Sequence, residues 1–266
     1  MDQFEANVVS KSEPIKGLNR SNGRTFNYSQ TLTFECPEIA AEARPGQFVM
    51  VSCGDNTLPR PFSINRITGD GELSLYFAVL EEGTGTGWLS QREPGDTVKI
   101  LGPLGNGFTV DNTSHNILLV AGGMGIAPLI FLAKEAAGKG KTVTLMYGTQ
   151  NEDRYPVESV LPGVNIINAT EDGSIGHHGM ITELIPEYIH KAGQVFICGP
   201  LPMYKYIHSQ DVLKRKPVQV SLEVRMACGR GICYGCTIQT LNGKKRVCED
   251  GPVFDFGDID WDNMKL

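Results

Sequence analysis

The sequence predicts a multidomain α+β protein made of three consecutive units. Residues 1–108 contain short alternating apolar and polar runs between Gly, Pro and Asp turns, which are typical of an antiparallel β-barrel. Residues 109–216 alternate strand-like with helix-like runs, which predicts an α/β unit with a parallel sheet. Residues 217–266 add one strand-like run and a cysteine-rich stretch, so we expect a small C-terminal module there.

Composition narrows the class of protein. The 266 residues are 41% hydrophobic and 20% charged, as in globular proteins, and the net charge of −6 without a basic cluster argues against nucleic acid as a partner. The first residues lack a signal pattern and no apolar run approaches about 18 residues, so we expect no membrane association and a cytoplasmic location. Seven cysteines, an odd number, favour metal or redox chemistry over a disulfide framework.

Individual elements follow from hydrophobic periodicity and turn residues. In the first unit, strands are predicted near residues 31–36, 47–53, 72–80 and 96–103. Later strands are predicted at residues 116–123, 142–148, 164–170, 194–200 and 218–224, and helices at 127–140, 181–193 and 201–215. Residues 12–28 have no clean period, so we interpret them as a loop or a long hairpin connection.

Four of the seven cysteines are concentrated near the C-terminus. Their spacing is C-x4-C-x2-C-x11-C, the order of plant-type [2Fe-2S] ferredoxins, and it predicts four cluster ligands: Cys228, Cys233, Cys236 and Cys248. The glycines of this loop, Gly229, Gly231 and Gly235, allow the tight folding that brings backbone N–H groups toward sulfur. A zinc site is the main alternative, but structural zinc modules usually pair two C-x2-C knuckles and here there is one. Cys36 and Cys53 are interpreted as small buried side chains.

A second motif indicates a flavin. Arg60, Pro61, Phe62 and Ser63 are placed at the end of a strand, where an arginine can bind a pyrophosphate, an aromatic ring can lie against a flat ring, and a hydroxyl can bond a ring nitrogen. Farther along come Leu75, Tyr76 and Phe77, and then Gly85 and Thr86 at a helix start whose N–H groups can hold a phosphate. The alternatives are a structural turn and an ordinary Gly-rich loop with a Thr cap.

A third motif indicates a nucleotide site. Gly122, Gly123 and Gly125 lie between a strand and a helix, where the turn can meet a pyrophosphate, although the pattern departs from G-x-G-x-x-G. Glu171 or Asp172 follows a strand and can meet a ribose hydroxyl, which would favour NAD over NADP; both can equally be solvated loop carboxylates. His177 and His178 in the same turn are expected to face water. Cys198 ends another strand, where α/β sheets form ligand crevices, and a buried thiol is the alternative.

With these residues in place, the chain resembles the ferredoxin-reductase superfamily over nearly its whole length, and its C-terminal module resembles electron-transfer subunits of class B dihydroorotate dehydrogenase. The resemblance implies FAD at the flavin motifs, with Arg60 as its anchor and Ser63 at its reactive edge. It implies a [2Fe-2S] cluster on the four clustered cysteines and NAD at the glycine turn, with Cys198 near hydride transfer. It also implies an FMN-containing catalytic subunit as partner, in a heterotetramer of two of each chain. Val224 departs from the family, since an acidic residue is expected there.

The implied function is electron transfer from the partner's FMN through the cluster and FAD to NAD⁺ in pyrimidine biosynthesis. Substrate oxidation is placed on the other chain, because a (β/α)₈ barrel needs about 250 residues. One alternative is the related subunit of NADH-dependent ferredoxin:NADP oxidoreductases or hydrogenase complexes; in the former an aspartate can replace one cluster ligand, whereas this chain supplies four cysteines. Another alternative is a zinc-stabilised binding protein.

Overall fold

The computed structural model describes residues 3–16, 20–21, 24–55, 58–69, 71–213 and 216–265. The segment 12–28 therefore lies partly outside the described residues, so the prediction of a long hairpin connection is tested only in part. Within the described ranges, no helix combines the length and the apolar character that a membrane crossing requires.

Strands and helices are numbered in chain order. The strands are β1 (Gln3–Lys11), β2 (Arg20–Ser21), β3 (Arg24–Glu35), β4 (Phe48–Val51), β5 (Arg60–Ile67), β6 (Glu72–Leu80), β7 (Thr97–Leu104), β8 (Asn116–Gly122), β9 (Thr142–Thr149), β10 (Asn165–Thr170), β11 (His177–His178), β12 (Gln194–Cys198), β13 (Val218–Ser221), β14 (Thr237–Thr240), β15 (Gly243–Arg246) and β16 (Val253–Asp255). The helices are α1 (Pro37–Glu42), α2 (Thr84–Ser90), α3 (Ile126–Gly138), α4 (Val157–Val160), α5 (Ile185–Tyr188), α6 (Leu201–Gln210) and α7 (Val247–Asp250). Short 3₁₀ turns cover Gly123–Gly125, Ile181–Leu184, Ile189–Lys191 and Phe256–Asp258.

The first unit is the predicted antiparallel barrel. Its strands pair in the order β1-β7-β4-β5-β6-β3, and β1 also pairs with β3, which closes the barrel. Alternate side chains fill the interior, among them Leu32, Phe34, Leu73 and Leu75, each 0% exposed. The four-residue flavin motif begins strand β5 and does not end a strand as predicted. The sequence pattern marks an apolar run but not its pairing register, which here starts at Arg60 opposite Val51.

The second unit is the predicted parallel sheet. In the described chain its strands run in the order β11-β10-β9-β8-β12-β13, all parallel, and β16 adds an antiparallel edge. β13 begins at Val218, so the hydrogen bonding of this sheet continues past the predicted boundary at residue 216, while the domain division itself stays a prediction. The continuous helix predicted at 181–193 is instead three short helical turns. Pro186 contributes to the break, because proline lacks the N–H that a continuous helix uses.

The barrel and the sheet meet through strand β5 and helix α3. Asn65 has no exposed surface, and its amide donates to the carbonyl of Ala127 at 3.0 Å. The hydroxyl of Tyr155 donates to the Asn65 carbonyl oxygen at 2.9 Å, and the Tyr155 ring contacts Tyr76 of the barrel at a centroid distance of 4.6 Å. Asn65 therefore satisfies both of its polar groups across the junction of the two units.

Replacing Asn65 with alanine should destabilise the protein, because the substitution leaves the buried carbonyl of Ala127 and the buried hydroxyl of Tyr155 without their hydrogen-bond partner. We expect the free energy of unfolding to fall by about 1–3 kcal/mol, measured by denaturant unfolding. Asn165→Ala is the matched control, since Asn165 is exposed and its amide makes one long bond of 3.4 Å to Thr144. The control should change stability by less than about 0.5 kcal/mol. Equal effects in the two variants would contradict the role assigned to the junction.

Candidate functional site

The four clustered cysteines converge in two pairs. Cys236 and Cys248 are buried, and their sulfur atoms lie 3.3 Å apart. Cys228 is half-buried and Cys233 is exposed, and Cys233 lies close enough to Cys228 to influence the pKa of its thiol. In the described part of the chain, no three His, Cys, Asp or Glu side chains are arranged to hold a single metal ion. Two pairs of neighbouring thiols would suit a cluster of two irons, since each iron takes two thiolates.

Backbone N–H groups surround these sulfur atoms. The N–H of Gly231 donates to Cys248 Sγ at 3.1 Å, and that of Arg230 donates to Cys228 Sγ at 3.4 Å. Gly229 and Gly231 have φ angles of 67° and 73°, as predicted for a tight glycine loop. The third positive φ of the loop, 59°, belongs to Tyr234 and not to the neighbouring glycine. Such donors stabilise thiolate charge and raise the reduction potential of a bound cluster.

The thiol pKa values differ across the loop. Burial would raise the pKa of Cys228, but hydrogen bonds from the Arg230 and Cys233 N–H groups and from the Cys233 thiol outweigh it and lower the pKa to about 6. Burial raises the pKa of Cys248 to about 12, and the Cys236 thiol adds to that increase. The outer part of the loop therefore favours a thiolate before any iron is bound, whereas the inner thiol needs a metal to become a ligand.

Arg246 holds the loop in shape. Its guanidinium donates to the carbonyl of Gly231 at 2.6 Å and pairs with Glu249 at 2.5 Å. A Cβ on Gly231 would lie 2.1 Å from that Glu249 carboxylate. The loop also rests on the barrel, because a Cβ on Gly229 would lie 2.5 Å from Met50 Cγ. Sequence reasoning missed Arg246, which carries no spacing signal.

The predicted flavin residues divide between two faces. The side chains of Phe62, Leu75 and Phe77 are buried in the barrel core, with the rings of Phe62 and Phe77 at 5.4 Å. Ser63 follows the buried Phe62 and therefore lies on the outer face of β5, whereas Asn65 and Tyr76 pack against the α/β unit. Pro61, two positions before Ser63, shares the outer face. Pro61 and Ser63 are both half-buried, so their side chains are the ones of this motif, besides Arg60, that a ligand can reach.

Arg60 lies beside the start of helix α2. A Cβ on Gly85 would lie 2.8 Å from Arg60 Nε, so the guanidinium rests directly on the first turn of the helix. The hydroxyl of Thr86 accepts from the N–H of Leu80 at 3.2 Å and thereby connects the helix to β6. The first N–H groups of any helix have no intrahelical acceptor. The Arg60 guanidinium and the N–H groups at the start of α2 together form a site suited to binding a diphosphate.

A cavity of about 400 Å³ opens at the carboxyl ends of the parallel strands. It is lined by Gly122, Gly123, Gly148, Thr149, Gln150, Glu171, Gly179, Met180, Ile181, Thr182, Glu183, Pro200, Pro202, Met203 and Tyr206. The glycine turn is packed tightly against the next strand, since a Cβ on Gly125 would lie 2.0 Å from the carbonyl oxygen of Cys198. This is the position at which ligands bind in open α/β sheets.

The structure separates the two candidate carboxylates. Glu171 lines the cavity, whereas the Asp172 carboxylate accepts from the N–H and the hydroxyl of Ser174 at 2.9 and 2.7 Å. These two hydrogen bonds from Ser174 lower the pKa of Asp172. His178 is exposed as expected, while His177 contacts Glu183 at 2.7 Å at the rim of the cavity. Glu171 is thus the carboxylate that can meet a bound nucleotide.

Cys198 lies outside the lining of this cavity. It is 0% exposed, and burial raises the pKa of its thiol well above the usual value, with the Glu223 carboxylate adding to the increase. An acidic residue therefore does lie near this thiol, one position before Val224. The predicted role of Cys198 at hydride transfer stays a prediction, because its side chain packs between strand and helix in this structure.

Two family models and a series of known proteins match this chain. Residues 223–260 match the family described as the iron-sulfur cluster binding domain of dihydroorotate dehydrogenase B, and residues 27–108 match the oxidoreductase FAD-binding domain. The dihydroorotate dehydrogenase B (NAD(+)) electron transfer subunit of Desulforamulus reducens is 37% identical over 243 residues, which cover 87% of this chain and 92% of the relative. The chain belongs to the family of dihydroorotate dehydrogenase B electron transfer subunits. The predicted resemblance is confirmed.

A further relative and two solved structures are also similar to this chain. The electron transfer subunit from a Geobacillus species is 42% identical over 226 residues, covering 81% of this chain and 86% of the relative. A solved NADH-dependent reduced ferredoxin-NADP oxidoreductase has a TM-score of 0.82 at 27% identity and covers 97% of this chain and 90% of that chain. The ferredoxin reductase of carbazole 1,9a-dioxygenase, at 20% identity and a TM-score of 0.67, shares the fold. The predicted fold class is confirmed.

Gly125→Ala should damage the glycine turn at residues 122–125, because the added methyl group meets backbone atoms that cannot move aside. We expect a loss of about 1–3 kcal/mol in unfolding free energy. We also expect weaker NADH binding, measured by fluorescence titration. Gly138→Ala is the control, since a Cβ at the end of helix α3 meets nothing within 4 Å. A Gly125→Ala variant with wild-type stability and NADH affinity would show that the turn tolerates the methyl group.

Proposed function

We propose that this chain carries electrons between a dihydroorotate-oxidising catalytic subunit and NAD⁺ in pyrimidine biosynthesis. The observation that carries the proposal is the two-and-two convergence of Cys228, Cys233, Cys236 and Cys248 beside a flavin-type barrel and a nucleotide cavity. FAD, when bound, supplies the exchange between two-electron and one-electron transfer that the reaction needs. Cytoplasmic location is part of the proposal, because an odd number of cysteines favours metal or redox chemistry in a reducing compartment over a disulfide framework.

The residues present fit a [2Fe-2S] cluster. Four thiols arranged as two pairs, with N–H groups directed at sulfur, form the donor set that such a cluster uses. In this role Cys228 and Cys233 bind at the solvent side and Cys236 and Cys248 at the protein side. Arg246 keeps Gly231 at its close approach to Cys248, so it acts by positioning the loop.

The residues present also fit FAD. Arg60 and the helix start at Gly85 and Thr86 bind the diphosphate, where the Cβ of any larger residue at position 85 would press on the guanidinium. Ser63, which is half-buried on the outer face of β5, contacts the flavin through its side chain. Tyr76 packs at the junction with its hydroxyl bonded to Ser29 at 2.7 Å, so it supports the site from below. Phe62, Leu75 and Phe77 support the site from the barrel core, so any contact they make with FAD is through the backbone. Pro61 restricts the strand between Arg60 and Phe62.

NAD(H) is assigned to the 400 Å³ cavity. Gly122, Gly123 and Gly125 allow the pyrophosphate to approach the backbone closely. Glu171 accepts from the ribose hydroxyls of the adenosine end and repels a 2′-phosphate, so NAD is preferred over NADP.

The partner is an FMN-containing catalytic subunit, in a proposed heterotetramer of two of each chain. Cys233 is the exposed cluster ligand, and its neighbours Ile232 and Tyr234 are 75% and 65% exposed. An exposed apolar edge beside a ligand is suited to contact with another protein. The ferredoxin-NADP oxidoreductase role remains a second candidate because of the 0.82 TM-score.

The anaerobically purified protein should contain FAD and about two irons per chain, both bleached by NADH in the visible spectrum. Cys236→Ser should lose the iron while NADH still bleaches the flavin, because the barrel and the cavity are untouched. Cys36→Ala is the control, since that buried thiol lies in the barrel and should leave the iron content unchanged. Zinc without flavin in the wild-type protein would overturn the proposal. Dihydroorotate-dependent NAD⁺ reduction with the catalytic subunit, but not with ferredoxin, would separate the two candidates.

Glu171→Gln should raise the affinity for NADPH roughly tenfold, because removing a facing carboxylate relieves repulsion of the 2′-phosphate. NADH affinity should fall slightly. Asp172→Asn is the matched control, since that carboxylate is engaged by Ser174 and lies outside the cavity lining. Titrating both nucleotides against both variants measures the effect. An equal gain of NADPH affinity in Asp172→Asn would show that the preference for NAD comes from the total negative charge of the loop and not from Glu171 in particular.

A further inference from the structure

The nucleotide cavity has an unbalanced charge. Among the described residues that line it, the charged side chains are two carboxylates, Glu171 and Glu183. His177 pairs with Glu183 at the rim and leaves Glu171 uncompensated. A dinucleotide brings a doubly charged pyrophosphate into this space, and backbone N–H groups supply partial charges only. A full positive charge close to the glycine turn would therefore favour binding strongly.

A narrow cleft next to the cavity supplies such a charge. It shares Gly123, Thr149 and Gln150 with the cavity and is also lined by Tyr76, Met124, Tyr147, Asp153 and Arg154. Its void holds about 10 Å³, which is space for one water-sized group. Its carboxylate, on Asp153, belongs to an exposed residue. Arg154 is thus the cation that lies beside the glycine turn within the described lining of the two spaces.

The environment of Arg154 is unusual for a guanidinium. The side chain is 6% exposed and lies 5.4 Å from the centre of the Tyr147 ring. One terminal nitrogen pairs with Glu158 at 2.5 Å, and the other donates to the Tyr155 carbonyl at 3.3 Å. The Nε atom is buried and has no hydrogen-bond partner among the described residues. A buried, charged donor without an acceptor is costly, so its retention points to an acceptor that arrives with a ligand.

We propose that Arg154 binds the pyrophosphate of the nicotinamide dinucleotide. The inference rests on the proposed function and names a binding residue for the same site. Its Nε–H donates to a phosphate oxygen, while N–H groups of the glycine turn at Gly123 contact the other oxygens. Glu158 is 52% exposed and holds the guanidinium from the solvent side, so it competes with the phosphate for the same charge.

The test compares Arg154→Gln with Glu158→Gln in the full, cofactor-loaded chain. Binding of NADH and of ADP-ribose is measured by titration at low and high salt, with adenosine as the phosphate-free probe. Arg154→Gln should weaken NADH and ADP-ribose binding roughly 10-fold to 100-fold, as for a lost charge-assisted hydrogen bond, and leave adenosine unchanged. It should also reduce the salt dependence. Glu158→Gln should bind NADH as tightly as the wild type or tighter, because it releases the guanidinium.

Comparing the two variants distinguishes a role of Arg154 in nucleotide binding from a role in stabilising the fold. If both weaken NADH equally, the ion pair serves the fold and the proposal is overturned; it is also overturned if Arg154→Gln binds like the wild type. Should Arg154→Gln not fold, Arg154→Lys replaces it, with a smaller loss of NADH affinity expected and an unchanged affinity counting against the proposal. A wild-type chain that binds no NADH would instead refute the proposed function, which distinguishes the two failures.

Discussion

The C-terminal segment is hydrogen-bonded to both of the other units at once. Its strand β16 pairs with β13, which makes the segment an edge of the nucleotide sheet. From the barrel side, the Asn106 side chain donates to the carbonyls of Glu249 and Asp250 at 3.2 and 3.0 Å, and its N–H donates to the Gly251 carbonyl at 2.6 Å. One hydrophobic core includes Met50 of the barrel, Val220 of the sheet and Cys248. The relative placement of all three sites depends on this double attachment.

Because of this attachment, the inner and outer thiols of the cysteine loop differ in burial and in pKa. The inner thiols, Cys236 and Cys248, belong to the shared core, whereas Cys233 is exposed. Burial disfavours charge, which explains why the pKa of Cys248 is raised while that of Cys228 is lowered by N–H donors. An electron carrier between two proteins needs one end near its own flavin and one near the surface. The loop provides that polarity because it lies between the barrel and solvent.

Much of this arrangement could be predicted from the sequence. Apolar periodicity predicted helix α3, four barrel strands (β3, β4, β6 and β7) and five parallel strands (β8, β9, β10, β12 and β13), but not β1, β5, β11 or β16. Cysteine spacing predicted which four thiols converge. The sequence pattern could not predict pairing register or side-chain direction. The motif at Arg60 begins strand β5, and the side chains of Phe62, Leu75 and Phe77 face the core. The continuation of the sheet into β13 depends on pairing with β12, a contact between distant residues. Arg154 and Arg246 carry no motif, since their importance comes from burial and partners.

The charged groups of the nucleotide site lie in two adjoining spaces. Glu171 lines the cavity, Arg154 lines the narrow cleft beside it, and both spaces share Gly123. In the proposed binding mode the ribose hydroxyls meet Glu171, and the pyrophosphate lies between Gly123 and Arg154. The cleft is also lined by Tyr76 of the barrel, whose ring contacts Tyr155 at the junction of the two units. The proposed nucleotide site is therefore adjacent to the junction of the barrel and the sheet, and transfer of a hydride between a nicotinamide and a flavin requires such proximity.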